Sequence, residues 1–113
     1  MSKWIKSKGV YYNLDDYKKM EFWHFCAPDD SYYQITFSAI YKRSKINIVM
    51  KNTVNLHDEA GMPMDSFAKY AKEEIEDLFL DFMHSEKCTV FDFDGLLGKV
   101  LTDNHLISDY YNL

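Results

Sequence analysis

Polar and apolar residues alternate with period two through much of the first half of the chain. Val10, Tyr12 and Leu14 fall on one side of a short segment and Tyr11 and Asn13 on the other, behind a turn at Lys8-Gly9 and an opening strand at Trp4-Ile5-Lys6. Met20, Phe22, His24 and Cys26 share one face of the next strand, with Glu21, Trp23 and Phe25 opposite. Ala27-Pro28-Asp29-Asp30-Ser31 then reads as a turn, because proline fixes φ and the aspartates can hydrogen-bond local amides. The cleanest alternation follows. Tyr33, Ile35, Phe37, Ala39 and Tyr41 point one way and Gln34, Thr36, Ser38 and Lys42 the other, with Ile40 out of phase. Arg43-Ser44-Lys45 turns the chain into Ile46 to Lys51. Short connections require antiparallel neighbours, and period two implies a sheet buried on one face.

The period changes after a loop at Leu56 to Pro63. Phe67, Ala71, Ile75, Leu78 and Phe82 recur at helical spacing, with Lys69, Lys72, Glu73, Glu76 and Asp77 largely opposite and Asp65 or Ser66 as N-cap. One apolar stripe and one apolar sheet face hide each other. The expected fold is therefore α+β: an antiparallel sheet of about four to five strands, one long helix at 65–84 on one face, and a C-terminal extension. Thr89 to Phe93 looks like a short strand, and Lys99 to Ser108 like a short helix or an extended arm. The expected core is Val10, Tyr12, Leu14, Met20, Phe22, Tyr33, Ile35, Phe37, Ala39, Ile46, Ile48, Phe67, Ala71, Ile75, Leu78 and Phe82.

The 113 residues fit a single domain: 1–56 strand-rich, 65–84 helical, 85–113 a short strand and C-terminal arm. Aromatics are abundant, with 8 Phe, 9 Tyr and 2 Trp, so ring packing should supply much of the core. Two cysteines make no disulfide framework, and no apolar run is long enough to span a membrane. No apolar segment follows the N-terminal lysines, so no signal peptide is expected and the cytoplasm is the expected location. The net charge of −5 is divided unequally: residues 1–56 carry 9 Lys and Arg against 5 Asp and Glu, and residues 57–113 carry 4 against 13. The acidic half disfavours general nucleic-acid binding, which needs clustered cations.

Thr89-Val90-Phe91-Asp92-Phe93-Asp94-Gly95-Leu96-Leu97 resembles the first motif of the haloacid dehalogenase-like phosphatases. The resemblance implies a magnesium-binding nucleophile at Asp92 and a general acid at Asp94. Leu96, however, stands where that family has a phosphate-binding threonine, and only 19 residues follow Asp94, fewer than one βαβ unit needs. The motif is read as a chance match. His24 and Cys26 with Cys88 lack zinc-ligand spacing, and a small buried thiol beside a hydrogen-bonded histidine is the plainer reading. His57-Asp58-Glu59 is a polar loop triplet with no nucleophile or phosphate cradle in view. No catalytic residue, cofactor or metal is expected.

Trp4-Ile5-Lys6, Gly9 and Tyr12-Asn13-Leu14-Asp15 resemble the opening of small bacterial and phage proteins of unknown function. These begin W-[IV]-x, a glycine turn, then [YI]-N-L-D. The resemblance spans about residues 4–84 and implies a sheet-plus-helix module somewhat like half of a pleckstrin-homology fold, with no activity attached.

What remains is surface. Glu73, Glu74, Glu76, Asp77 and Asp81 crowd the helix, with Leu80 and Met83 beside them. Apolar groups beside charge are characteristic of protein interfaces. The expected partner-binding residues are Glu73, Glu76, Asp77, Leu80, Asp92, Asp94, Tyr110 and Tyr111, which form an acidic and aromatic surface on the C-terminal half. The expected function is a small, acidic, non-enzymatic protein-interaction module. Its size, charge and lack of catalytic motifs resemble, as a class, phage or mobile-element inhibitors of host defence nucleoproteins, of the anti-CRISPR or anti-restriction type. The expected partner is another protein, in that narrower reading a nucleic-acid-binding effector, with no membrane or small-molecule substrate. The alternative is a nucleic-acid-binding accessory protein using the basic hairpin tip at 42–45, and a magnesium-dependent phosphatase-like enzyme ranks last.

Overall fold

The computed structural model describes residues 2–29, 32–41, 43–52 and 64–103. The strands are β1 (Trp4–Ser7), β2 (Val10–Asn13), β3 (Lys19–Cys26), β4 (Tyr33–Tyr41), β5 (Ser44–Asn52) and β6 (Val90–Asp92). The helices are α1 (Met64–His84) and α2 (Leu96–Asp103), and a 3-10 turn at Leu14–Asp16 follows β2.

The fold is α+β, but the strands do not form one sheet of four to five. They form two three-stranded sheets, ordered β3-β4-β5 and β2-β1-β6. The first is an antiparallel meander. In the second, β1 pairs antiparallel with β2 and parallel with β6, in register Trp4 to Val90 and Ile5 to Phe91. The separation arises at Asn13–Asp16. The Asn13 side chain accepts the Asp15 N–H at 2.9 Å, and the Leu14 N–H donates to the Lys3 carbonyl at 2.8 Å. This tight turn buries Leu14 and sends the chain out of the first hairpin into a different sheet. The free edge of β1 is then taken by β6.

Between β1 and β2, Lys8 and Gly9 both have positive φ, 53° and 76°. Two left-handed residues make a type I′ connection, whose twist matches that of the strands it joins.

Helix α1 packs across β3 and β4, and α2 lies against α1 and β5. The buried stripe of α1 is Ala68, Ala71, Ile75, Phe79 and Phe82. Leu78, expected inside, is 44% exposed, and Phe79 takes its place. Both phases satisfy helical spacing, and the phenylalanine core decides between them. Among the described residues, Phe22, Phe37, Phe79, Phe82, Phe91 and Phe93 form one cluster. Phe79 lies 5.2 Å from Phe37, 5.5 Å from Phe22 and 5.2 Å from Phe91, and Phe93 reaches Phe37 at 5.1 Å. Tilted and edge-on ring pairs at such distances add about 0.5–1.5 kcal/mol each beyond area burial, which a leucine at this position would forgo.

Other expectations shift in the same way. Val10 is exposed, Tyr12, Met20 and Phe22 are only partly buried, and Asp65 and Ser66 lie inside α1 rather than capping it. Ile5, Met50, Phe91, Phe93, Leu96, Leu97 and Val100 join the core. Helix α2 starts at Leu96, three residues before the segment expected to hold it. The loop at 56–63, residues 104–113 and the Phe67 side chain lie outside what is described.

Candidate functional site

The expected partner-binding residues fall on two elements. Glu73, Glu76, Asp77 and Leu80 belong to α1, on the side turned away from the sheet. Glu73, Asp77 and Leu80 are exposed, Leu80 to 53%. Glu76 is paired with Lys72 at 3.5 Å, one turn earlier. A leucine thus stands among carboxylates on the outer face of the helix, whereas the exposed Leu78, two residues earlier, borders the buried stripe instead. Nearby on α1, burial and then the Glu74 carboxylate push the Tyr70 hydroxyl above the ordinary tyrosine value.

Asp92 and Asp94 sit elsewhere, at the end of β6, and both are engaged. Asp92 Oδ1 accepts the Asp94 N–H at 2.8 Å. Asp94 Oδ1 accepts the Lys8 N–H at 2.7 Å, which ties the β1–β2 turn to the β6–α2 turn. Lys6 Nζ lies 3.8 Å from Asp92 and 4.0 Å from Asp94. Gly95 follows at φ 70°, a conformation that favours glycine. These contacts give the Asp-x-Asp-Gly pattern a local structural role: two side chains hold turns and a glycine opens a helix. Tyr110 and Tyr111 lie outside the described residues.

His24 lies 3.9 Å from the Asp65 carboxylate at the start of α1, Cys26 is half-buried and Cys88 is exposed. Among the described residues no group of three His, Cys, Asp or Glu side chains stands close enough to hold a metal ion. No described helix is long and apolar enough to cross a membrane.

A second surface is the outer face of the β3-β4-β5 sheet. Its register sets side chains in rows across the three strands. Lys19, Ile40 and Lys45 form one end row. Glu21, Ser38 and Asn47 follow, with Lys19 paired to Glu21 at 3.1 Å and Ser38 Oγ donating to Asn47 Oδ1 at 2.8 Å. Trp23, Thr36 and Val49 come next, then Phe25, Gln34 and Lys51. Trp23 is 57%, Phe25 47% and Val49 48% exposed. Tyr32 extends the aromatic end: its ring lies 6.0 Å from that of Phe25, and Lys51 Nζ stands 4.2 Å above it. Sequence reasoning placed Trp23 and Phe25 on this side without marking it as a site. The available signal was that β3 is aromatic on both faces, whereas a strand with one wet face needs rings on only one.

Comparison with protein-family models, curated proteins and solved structures found no match.

Proposed function

We propose that the protein is a non-enzymatic protein-interaction module that docks its partner on the outer face of α1. The observation that carries this reading is Leu80, 53% exposed on a helix face that also bears Glu73, Glu76 and Asp77. A leucine ringed by carboxylates fits a partner with a small apolar socket and a cationic rim. The apolar contact supplies affinity, and the charges supply orientation and on-rate. Nucleic-acid-binding effectors carry such cationic surfaces, which supports the narrower reading of the module as an inhibitor that occupies one in the cytoplasm.

The test is capture from a lysate of the source cell with wild-type protein, a Glu73→Lys/Glu76→Lys/Asp77→Lys variant, and a Leu80→Ser variant. A partner held by the wild type should be lost by both variants while their melting temperatures stay near wild type. A partner retained by both variants would place the interface elsewhere. Recovery of only a metabolic or structural complex would end the inhibitor reading but not the module reading.

A further inference from the structure

The exposed face of the β3-β4-β5 sheet has a composition unlike the rest of the molecule. In a chain of net charge −5, it carries Lys19, Lys45 and Lys51 against Glu21 alone. Its flanking strands expose Trp23, Phe25 and Val49, and Phe25 adjoins Tyr32, where an outward sheet face is ordinarily polar. Exposed rings grouped in this way mark a binding site.

We infer that this face binds single-stranded RNA, with bases stacked on Trp23 and Phe25 and phosphates held by Lys45 and Lys51. The charge balance selects a polyanion. The flat, half-exposed rings select one whose bases are unpaired, because a duplex hides its π-faces within the stack. The spacing fits as well. Trp23 and Phe25 are two residues apart on one strand, about 6–7 Å, so each can receive one of two adjacent bases. Gln34 lies between Phe25 and Lys51 in the register, where an amide offering both donors and an acceptor can meet a base edge or a 2′-hydroxyl. The sequence alone pointed to the tip at 42–45 for nucleic acid. The structure moves the cations Lys45 and Lys51 onto the same surface as the rings. This inference is independent of the α1 reading, since α1 covers the opposite side of the sheet.

The test uses the full chain and a fluorescein-labelled mixed-sequence 12-nucleotide RNA, followed by anisotropy across a salt series. Parallel arms use DNA of the same sequence and the RNA annealed to its complement. Saturable binding is expected, tighter for single-stranded RNA than for the duplex and at least as tight as for DNA. Trp23→Ala and Phe25→Ala should each weaken it about tenfold, and Trp23→Phe, which keeps a stacking ring, should retain most of it. Lys51→Ala should lower the slope of log K against log salt by about 0.7. No saturation by about 100 μM protein at low salt, preference for duplex or DNA, or unchanged affinity in both alanine variants would overturn the inference. So would sedimentation of the free protein as a dimer that Trp23→Ala dissociates, since the rings would then serve a second copy of the chain.

Discussion

Lys3 caps the end of α1 by donating from Nζ to the carbonyl of Phe82 at 2.8 Å, with its ammonium 4.8 Å from the centre of the Phe82 ring. The same nitrogen donates to the carbonyls of Ser85 and Cys88. Its three donors thus reach one carbonyl in the last turn of a 21-residue helix and two in the segment that follows it, placing a positive charge at the helix's negative end. Lys3→Ala should lower unfolding free energy by roughly 1.5–3 kcal/mol, the range for a hydrogen bond to a charged group. Lys3→Met, which keeps the apolar stem, should recover only part of that loss in urea titrations. If both variants match wild type, the contact contributes nothing.

The rotational setting of α1 is open to a direct comparison. Ile75 is fully buried and Leu78 is 44% exposed. Ile75→Ala should cost about 2–5 kcal/mol and Phe82→Ala about 3–5 kcal/mol, whereas Leu78→Ala should cost less than about 1 kcal/mol. Equal losses at 75 and 78 in thermal or chemical melts would put the helix in the phase that sequence spacing first suggested.

The β1–β2 turn holds a non-glycine residue in the left-handed region. Lys8→Asn should stabilise the protein by a few tenths to about 1 kcal/mol, because asparagine tolerates positive φ and Asn-Gly favours this turn type. Gly9→Ala should destabilise by about 1–2 kcal/mol. Beyond its two chain neighbours no atom lies within 4 Å of where the new methyl would sit, so that loss would come from the backbone conformation and not from crowding by packed neighbours. A stabilised Gly9→Ala variant would contradict the turn.

Asp94→Ala should release the Lys8 amide and loosen the junction of the two turns. A loss of about 1–2 kcal/mol is expected, with faster hydrogen exchange at Lys8. Asp94→Asn keeps an acceptor oxygen and should lose less. Magnesium should leave the melting temperatures of the wild type and of Asp92→Asn unchanged; a magnesium-dependent rise in the wild type that Asp92→Asn abolishes would assign these carboxylates to a metal.

How far the sequence could be read depended on the distance between partners. The β3-β4-β5 meander was legible because each strand pairs with its neighbour and Tyr33, Ile35, Phe37 and Ala39 alternate cleanly. The Lys8-Gly9 turn was legible because two residues determine it. The second sheet was not, because nothing local to Trp4–Ser7 says that its parallel partner is Val90–Asp92. The phase of α1 was ambiguous at Leu78-Phe79-Leu80, three large apolar residues in succession, until the rings of Phe22, Phe37, Phe91 and Phe93 came together. Of the site, Glu73, Asp77 and Leu80 were legible from helical spacing alone. The engagement of Asp92 and Asp94 was not, because Lys6 and Lys8 come from the other end of the chain.

The pairing of β1 with β6 also fixes an order of events during synthesis. The meander can close as soon as its own residues leave the ribosome, since its contacts are between neighbours. β1 is made first and must wait for Val90–Asp92, with one edge unpaired until then. A nascent chain halted before residue 90 would therefore present the template edge on which chaperones and aggregation both act.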